Sequence, residues 1–320
     1  MVTDSSTSWW PRRNAVLIVS VQDYLHRPLV DLARHLYGDD TVIIPMRAWR
    51  SIDKVFLFKL FFWYLPFTIK RIFTPSDLGG RLVRLILDYA ALFGIESYVV
   101  PAHNHPFHLD VSLTLPQRYV DLSRPRVVGG FSKRTRLILN DRPMRDFFLA
   151  MRYEPHRLLV VDDWIGTLYR RDEAITYPVV FFTEVIQEID RAQFERNLAR
   201  VVRLLENGIV SRLFVKLHPR EPAEFVARYR GELGRFPNTE FIDTRSRSFD
   251  VINRSAIIMA SFSTVLLEAL WLGKKVIVLD NAMFRNTMLN FYLVDGNHLL
   301  YDDRLEIDTL RRYCTEAATR

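Results

Sequence analysis

The chain has 320 residues, 49% of them hydrophobic and 25% charged, enough to bury two cores of roughly 150 residues each without staples. Its one cysteine, Cys314, excludes an internal disulfide and a cysteine-built zinc site, and it suits a reducing compartment. A net charge of +7 favours an anionic partner: a phosphate-bearing donor, an acidic glycan, an anionic membrane face or nucleic acid. Nucleic acid is the least supported, because no glycine-rich P-loop, RNP-type aromatic strand or helix-turn-helix signal is present.

Residues 1–13 are polar and predict no signal peptide. The apolar run 15–21 is too short to span a bilayer and reads as a buried parallel strand. Leu25, Leu29, Leu32, Ala33 and Leu36 follow at helical spacing, and 41–45 reads as a second strand, a βαβ opening. Residues 55–73 are rich in aromatics, interrupted by Lys59 and Pro66, and closed by Lys70 and Arg71. They predict a helix buried in or against the first lobe. A membrane-surface helix is the alternative, and a true span ranks third, since a mid-segment Lys and Pro seldom cross a bilayer. Leu82, Leu85, Ile86, Tyr89 and Ala90 predict a helix stopped by Gly94, and strands are expected at 96–101, about 126–129, and 157–161.

A second series follows the polar stretch 169–176. Residues 177–183 read as a strand, and 191–207 as a helix with Phe194, Leu198, Val201, Val202 and Leu205 on one face, stopped by Gly208. Strands at 212–217, 240–242, 256–259 and 275–279 alternate with helices at 223–231, 248–254 and 264–272, and 275–279 is expected to close the sheet. The amphipathic piece 305–319 is expected to pack back on the first lobe. The pattern predicts two doubly wound α/β lobes, 1–172 and 173–304, followed by a C-terminal helix within 305–320. In such sheets ligands sit beyond the carboxyl ends of the strands, which directs the search for chemistry.

Three groups of residues stand at predicted strand ends. Lys216, His218 and Pro219, with Arg220, follow one strand; an imidazole beside cations can donate to a phosphate and assist its departure, although a histidine capping a strand end reads equally well. Ser261, Ser263 and Thr264 lie between a strand and a helix that carries Glu268. Hydroxyls and backbone N–H groups there suit an anion, three hydroxyls in four residues exceed what one helix cap needs, and Glu268 is placed to accept from ribose hydroxyls. Asp162 and Asp163, before Gly166, follow a strand of the first lobe and suit a general base or, more plainly, a solvated turn. His103, His105 and His108 form a loop cluster without a completing ligand set, so no metal is expected. Arg245, Arg247 and Arg254 line the crevice or solvate the surface.

In that order, Asp162-Asp163 with Gly166, His218-Pro219 and Ser263-Thr264 resemble the Asp-Asp-Gly, His-Pro and Ser-Ser/Thr motifs of bacterial sialyltransferases, including lipooligosaccharide sialyltransferases and capsular polysialyltransferases. The stretch 248–279 also resembles the donor lobe of the wider group with GT-B architecture, including capsular Kdo transferases and teichoic-acid glycerophosphotransferases. The resemblance covers about 157–280 and implies two Rossmann-like lobes with a cleft between them. It further implies an inverting, metal-independent, cofactor-free transfer of sialic acid from CMP-sialic acid to a bacterial surface glycan, at or near the cytoplasmic membrane face. Asp162 or Asp163 would be the base, His218 would stabilise the departing CMP, and Lys216, Pro219, Ser261, Ser263, Thr264 and Glu268 would hold the donor. Trp164 and Ile165 separate the carboxylate pair from Gly166, where the family has glycine directly after the pair. Alternatives are a CMP-Kdo or CDP-glycerol transferase, or a non-catalytic sugar-nucleotide or glycan-binding protein.

Overall fold

The computed structural model describes residues 15–20, 23–39, 41–47, 58–65, 68–75, 81–101, 135–150, 153–184, 191–261, 263–280 and 288–318. The described residues up to Trp164 form one compact unit and those from Ile165 a second.

The first unit is built on β1 (Ala15–Ser20), β2 (Ile43–Arg47), β3 (Ile69–Thr74), β4 (Glu96–Val99), β5 (Arg136–Leu139) and β6 (Leu158–Val160), in the order β2-β1-β3-β4-β5-β6 and parallel throughout. The apolar run from Ala15 to Val19 in β1 is what a strand covered on both faces requires. Pro45, opposite Ile18, is tolerated because β2 is the edge strand. Helices α1 (Asp23–Tyr37), α2 (Arg81–Leu92) and α3 (Arg142–Ala150) supply crossovers, and α2 stops as expected at Gly94, whose φ is 68°. Neither β5 nor α3 is expected from the sequence pattern, and the strand expected near 126–129 lies outside the described residues.

Residues 55–73 are not one helix. A π-helical turn, Leu60–Tyr64, presses Leu60 and Leu65 onto the sheet face formed by Leu17, Val19, Ile69 and Ile72, beside Val83, Ile86 and Ala90 of α2. The chain then re-enters the sheet as β3, a central strand between β1 and β4. Saturation with aromatics hides this break, because neither a period of 3.6 nor of 2 stands out in the run. Among the described residues no helix is long and apolar enough to cross a membrane.

The second unit carries β7 (Tyr177–Phe182), β8 (Leu213–Lys216), β9 (Thr239–Ile242), β10 (Ser255–Ala260), β11 (Lys275–Leu279) and β12 (His298–Tyr301), in the parallel order β12-β11-β10-β7-β8-β9. Its helices are α4 (Trp164–Tyr169, which spans the division between units), α5 (Arg191–Glu206), α6 (Ala223–Leu233), α7 (Ser248–Asn253), α8 (Thr264–Trp271) and α9 (Ile307–Ala318). The expected face of α5 is the observed one: Phe194, Leu198, Val201 and Leu205 are buried, and Phe194 meets Phe225 and Tyr229 edge-on at 4.8 and 5.3 Å. Gly208, at φ 57°, donates to the Leu205 carbonyl and Ile209 to that of Leu204, a paired closure that satisfies the last turn.

Two expectations for this unit are corrected. β11 does not close the sheet, since β12 pairs beyond it. The C-terminal helix α9 has its buried face in the second unit's own core, with Leu310, Tyr313 and Cys314 beside Ile277 and Tyr301, and the Tyr313 hydroxyl donates to the Val276 carbonyl at 3.1 Å. Its apolar stripe finds near neighbours in β10 and β12, and β12 is a strand the sequence pattern does not predict.

Candidate donor-phosphate site

The second sheet runs outward from β7 in both directions, through β8 and β9 on one side and β10 to β12 on the other. The switch point of such a sheet is where its crossovers diverge, and ligands settle there beyond the carboxyl ends. Here it lies at the ends of β7 and β10. Thr183 and Glu184 leave β7 at this point, and Ser261 and Ser263 follow β10.

These residues are wired together. The Thr183 hydroxyl accepts the His218 backbone N–H at 2.8 Å and donates to Glu221 Oε2 at 2.7 Å, joining the ends of β7 and β8. On its other side Glu184 Oε1 accepts two backbone N–H groups, from Ser261 at 2.6 Å and Ser263 at 3.0 Å, joining β7 to β10. Two amides converging on one oxygen at the start of a helix make an anion nest, and a carboxylate of the protein sits in it. His218 and Ser263, expected to act together, are thus linked through adjacent residues of a single strand end.

The remaining candidates sort by what their side chains already do. Nδ1 of half-buried His218 accepts the Arg220 backbone N–H at 3.1 Å, so the proton of the neutral ring lies on Nε2, which is the nitrogen able to donate to a phosphate. Pro219 is exposed in the turn that follows. Lys216 is buried, and its Nζ donates to the Thr244 carbonyl at 2.7 Å, on the β9 flank of β8 and so opposite the β10 flank that carries Ser261. Desolvation lowers its pKa while nearby Asp243 acts against that shift. Lys216 is therefore a structural tether in this geometry, because its position in the strand aims it at the neighbouring loop.

Ser263 is the N-cap of α8, accepting from Val265 N–H at 3.3 Å, so its hydroxyl does the ordinary capping work while its amide faces Glu184. Ser261 is buried and Thr264 half-buried. Glu268 lies half-buried one turn into α8, and desolvation pushes its carboxyl up to about 7. Burial removes water without supplying a partner, so the group is poised between acid and carboxylate near neutral pH.

In the first unit, exposed Asp162 and half-buried Asp163 follow β6. Asp163 adopts φ 49°, a left-handed turn that Asp tolerates better than most residues, and its N–H donates to the Asn140 carbonyl at 2.7 Å. Trp164 then opens α4. The insertion relative to the family pattern is thus the first turn of a helix.

Arg245 is paired with Asp243, its Nη2 lying 2.7 Å from Oδ2, and its hydrogen bonds hold that carboxyl down at about 2; Arg254 stacks over Tyr177 at 5.1 Å. Arg247 is exposed at the start of α7. His103, His105 and His108 lie outside the described residues, and among the described residues no three His, Cys, Asp or Glu side chains are grouped to hold a metal. A groove of about 280 Å³ at the starts of α5 and α6 is lined by Arg191, Phe194, Glu195, Glu224, Phe225 and Arg228. It falls below the span of about 300–1,000 Å³ usual for ligand pockets, and its Arg228 already faces Glu195 at 3.6 Å.

No protein-family model matches the chain, and no curated protein matches it by sequence. Solved structures do match it in fold. A putative UDP-N-acetylglucosamine 2-epimerase from Listeria monocytogenes superposes with a TM-score of 0.61 at 10% identity, over 96% of this chain and 88% of that one. S. aureus MnaA in a co-structure with UDP gives 0.56 at 13%, over 95% and 87%. Anabaena HepE in complex with UDP-glucose gives 0.52 at 9%, over 94% and 89%. The chain spans 48% of the length of TarM, with a TM-score of 0.46. Two α/β units, each on a six-stranded parallel sheet, are the GT-B architecture that the sequence resemblance implied, and the neighbours share it.

Proposed function

We propose that the chain is a glycosyltransferase that takes its sugar from a nucleotide-activated donor, with the donor phosphate seated at the ends of β7, β8 and β10. The observation that carries this reading is the pair of amides, Ser261 and Ser263, converging on one carboxylate oxygen of Glu184, whose chain neighbour Thr183 holds the His218 backbone. A donor phosphate replaces the Glu184 carboxylate on those amides, and His218 Nε2–H donates to the same phosphate as negative charge grows on the leaving group. Ionised Glu268 accepts from the ribose hydroxyls. The base that activates the acceptor hydroxyl is assigned to Asp162 or Asp163 on the sequence resemblance, with inversion at the transferred carbon.

For the donor, the order of the His218-Pro219 and Ser263-Thr264 motifs favours CMP-sialic acid and a bacterial surface glycan acceptor reached from the cytoplasmic side. UDP in HepE and MnaA supports the broader class of nucleotide sugars on this fold. Purified chain incubated with CMP-sialic acid, CMP-Kdo, CDP-glycerol and UDP-sugars, with and without a glycan acceptor, separates the possibilities. A transferase consumes one donor only when acceptor is present, an epimerase converts UDP-N-acetylglucosamine alone, and a binding protein consumes nothing. His218→Ala is expected to cut transfer by about 10²–10³-fold, the range for losing one donor to a developing anion, with the melting temperature unchanged. Full transfer by that variant sinks the mechanism.

A further inference from the structure

The π-helical turn of the first unit is half buried and half bare. Leu60 and Leu65 are buried against the sheet, whereas Phe58, Phe62 and Trp63 are 63%, 62% and 53% exposed. Phe58 and Phe62 lie against each other, ring centroids 4.7 Å apart, and the neighbouring Phe61 rests on Tyr89 at 5.1 Å, which in turn meets Phe93 at 5.1 Å. The bare surface therefore continues onto α2 and its C-terminal turn, where Leu85, Leu92 and Phe93 are exposed by 55%, 76% and 45%. Half of the exposed large apolar side chains of the described residues belong to this one surface, which is more than scattered surface hydrophobics explain.

Charge selects the occupant. From residue 54 to residue 76 the sequence holds Lys54, Lys59, Lys70 and Arg71 and no Asp or Glu. Lys59, immediately before the turn, is exposed, and Arg71 is spent internally on Glu96 at 3.3 Å and on the Tyr37 ring. Asp88, exposed on α2, makes the turn rather than the helix the element with the cleaner cationic margin. Aromatic side chains beside lysines that can reach upward suit the headgroup boundary of an anionic bilayer. A second copy docked on a two-fold axis would set these cations against their own equivalents.

We propose that the turn Leu60–Tyr64 and the two residues before it, which present Phe58, Lys59, Phe62 and Trp63, form a peripheral membrane-docking surface, inserting the aromatics at the headgroup boundary of an anionic bilayer with Lys59 on the phosphates. This goes beyond the donor reading and stands whichever nucleotide sugar is used.

Flotation of the full chain with phosphatidylcholine vesicles, and with the same vesicles containing phosphatidylglycerol, tests it. The wild-type chain rises with the phosphatidylglycerol vesicles and stays down with the neutral ones. Phe62→Ser with Trp63→Ser lowers the bound fraction at least about tenfold, since two large apolar side chains no longer leave water, and Lys59→Glu loses the preference for phosphatidylglycerol. Both variants keep the wild-type melting temperature, because the altered side chains are exposed. A wild-type chain that floats with neither vesicle, or a double variant that floats as well as wild type, overturns the proposal. So does a concentration-dependent dimer in sedimentation velocity that the double variant abolishes, which would make a second copy the occupant. Donor consumption in solution is unaffected by these outcomes, so failure here is distinguishable from failure of the transferase reading.

Discussion

The two units place their polar groups differently. In the second, side chains bond across the ends of the strands: Thr183 to the His218 amide and to Glu221, Glu184 to the Ser261 and Ser263 amides, and Arg200 of α5 to Asp303 and the Asp280 carbonyl. In the first, the chain turn after β6 leaves Asp162 exposed, and the element with the most unusual composition turns aromatic rings outward. A mesh of that kind fixes donor amides within tenths of an ångström, as stabilising a developing charge requires. An exposed apolar turn needs no such precision, because a lipid surface conforms to it. Recognition of a small anion and attachment to a soft surface call for opposite local designs.

Loosening the mesh of the second unit should have the largest effect on stability. Arg200 is 5% exposed, its Nε 3.0 Å from Asp303 and its Nη1 2.9 Å from the Asp280 carbonyl, while its own carbonyl accepts the Tyr301 hydroxyl at 3.3 Å. It holds α5 against the ends of β11 and β12. Arg200→Ala is expected to cost about 2–3 kcal/mol, from lost charge-assisted bonds and lost stem packing, read as a lowered urea midpoint. A loss within the scatter of surface substitutions would mean that the mesh is decorative. The matching change in the first unit, Asp162→Asn, should leave the midpoint in place, because that side chain is exposed.

A smaller effect is expected at the nest itself. Glu184→Gln keeps an acceptor for the Ser261 and Ser263 amides but removes the charge that competes with a phosphate. Binding of CMP or UDP, whichever the wild type prefers, should tighten about tenfold, roughly the worth of one charge-assisted bond surrendered. Weaker binding by the variant would mean that the carboxylate organises the loop for the ligand instead of occupying its place.

Legibility divides along the same line. Strands β7 to β11 and helices α5 to α8 follow from apolar runs and from the 194, 198, 201, 205 spacing because each is covered on a predictable face. Strand β12 was hidden because it is an edge strand with His298, Leu299 and Leu300 only partly covered, and Arg136–Leu139 because four residues carry too little period. His218, Ser261 and Ser263 were visible as unusual residue types at strand ends. Thr183 and Glu184 were not, since their importance comes from β7 lying between β8 and β10, a pairing that no local pattern encodes. Lys216 misled for a related reason: the sequence places an ammonium at the strand end, and only the position of β9 shows that Thr244 holds it.

Glu268 gives the finest test, because one titration should move two observables in opposite directions. Its carboxyl is raised from an ordinary 4.5 to about 7 by burial. The folded chain therefore binds more protons than the unfolded chain between those values, so the group's contribution to stability is fully present below about pH 4.5 and is lost as pH rises through about 7. Wild-type stability should fall by about 1 kcal/mol between pH 6 and 7 relative to Glu268→Gln, which has nothing to titrate. Over the same interval the wild type should gain nucleotide affinity, because the carboxylate accepts from ribose hydroxyls more strongly than the neutral acid does, and Glu268→Gln should show no such gain. A stability slope without the affinity slope would leave Glu268 a buried acid with no part in the donor site. Both slopes vanishing in the variant would place it against the ribose, one helical turn from the amides that hold the phosphate.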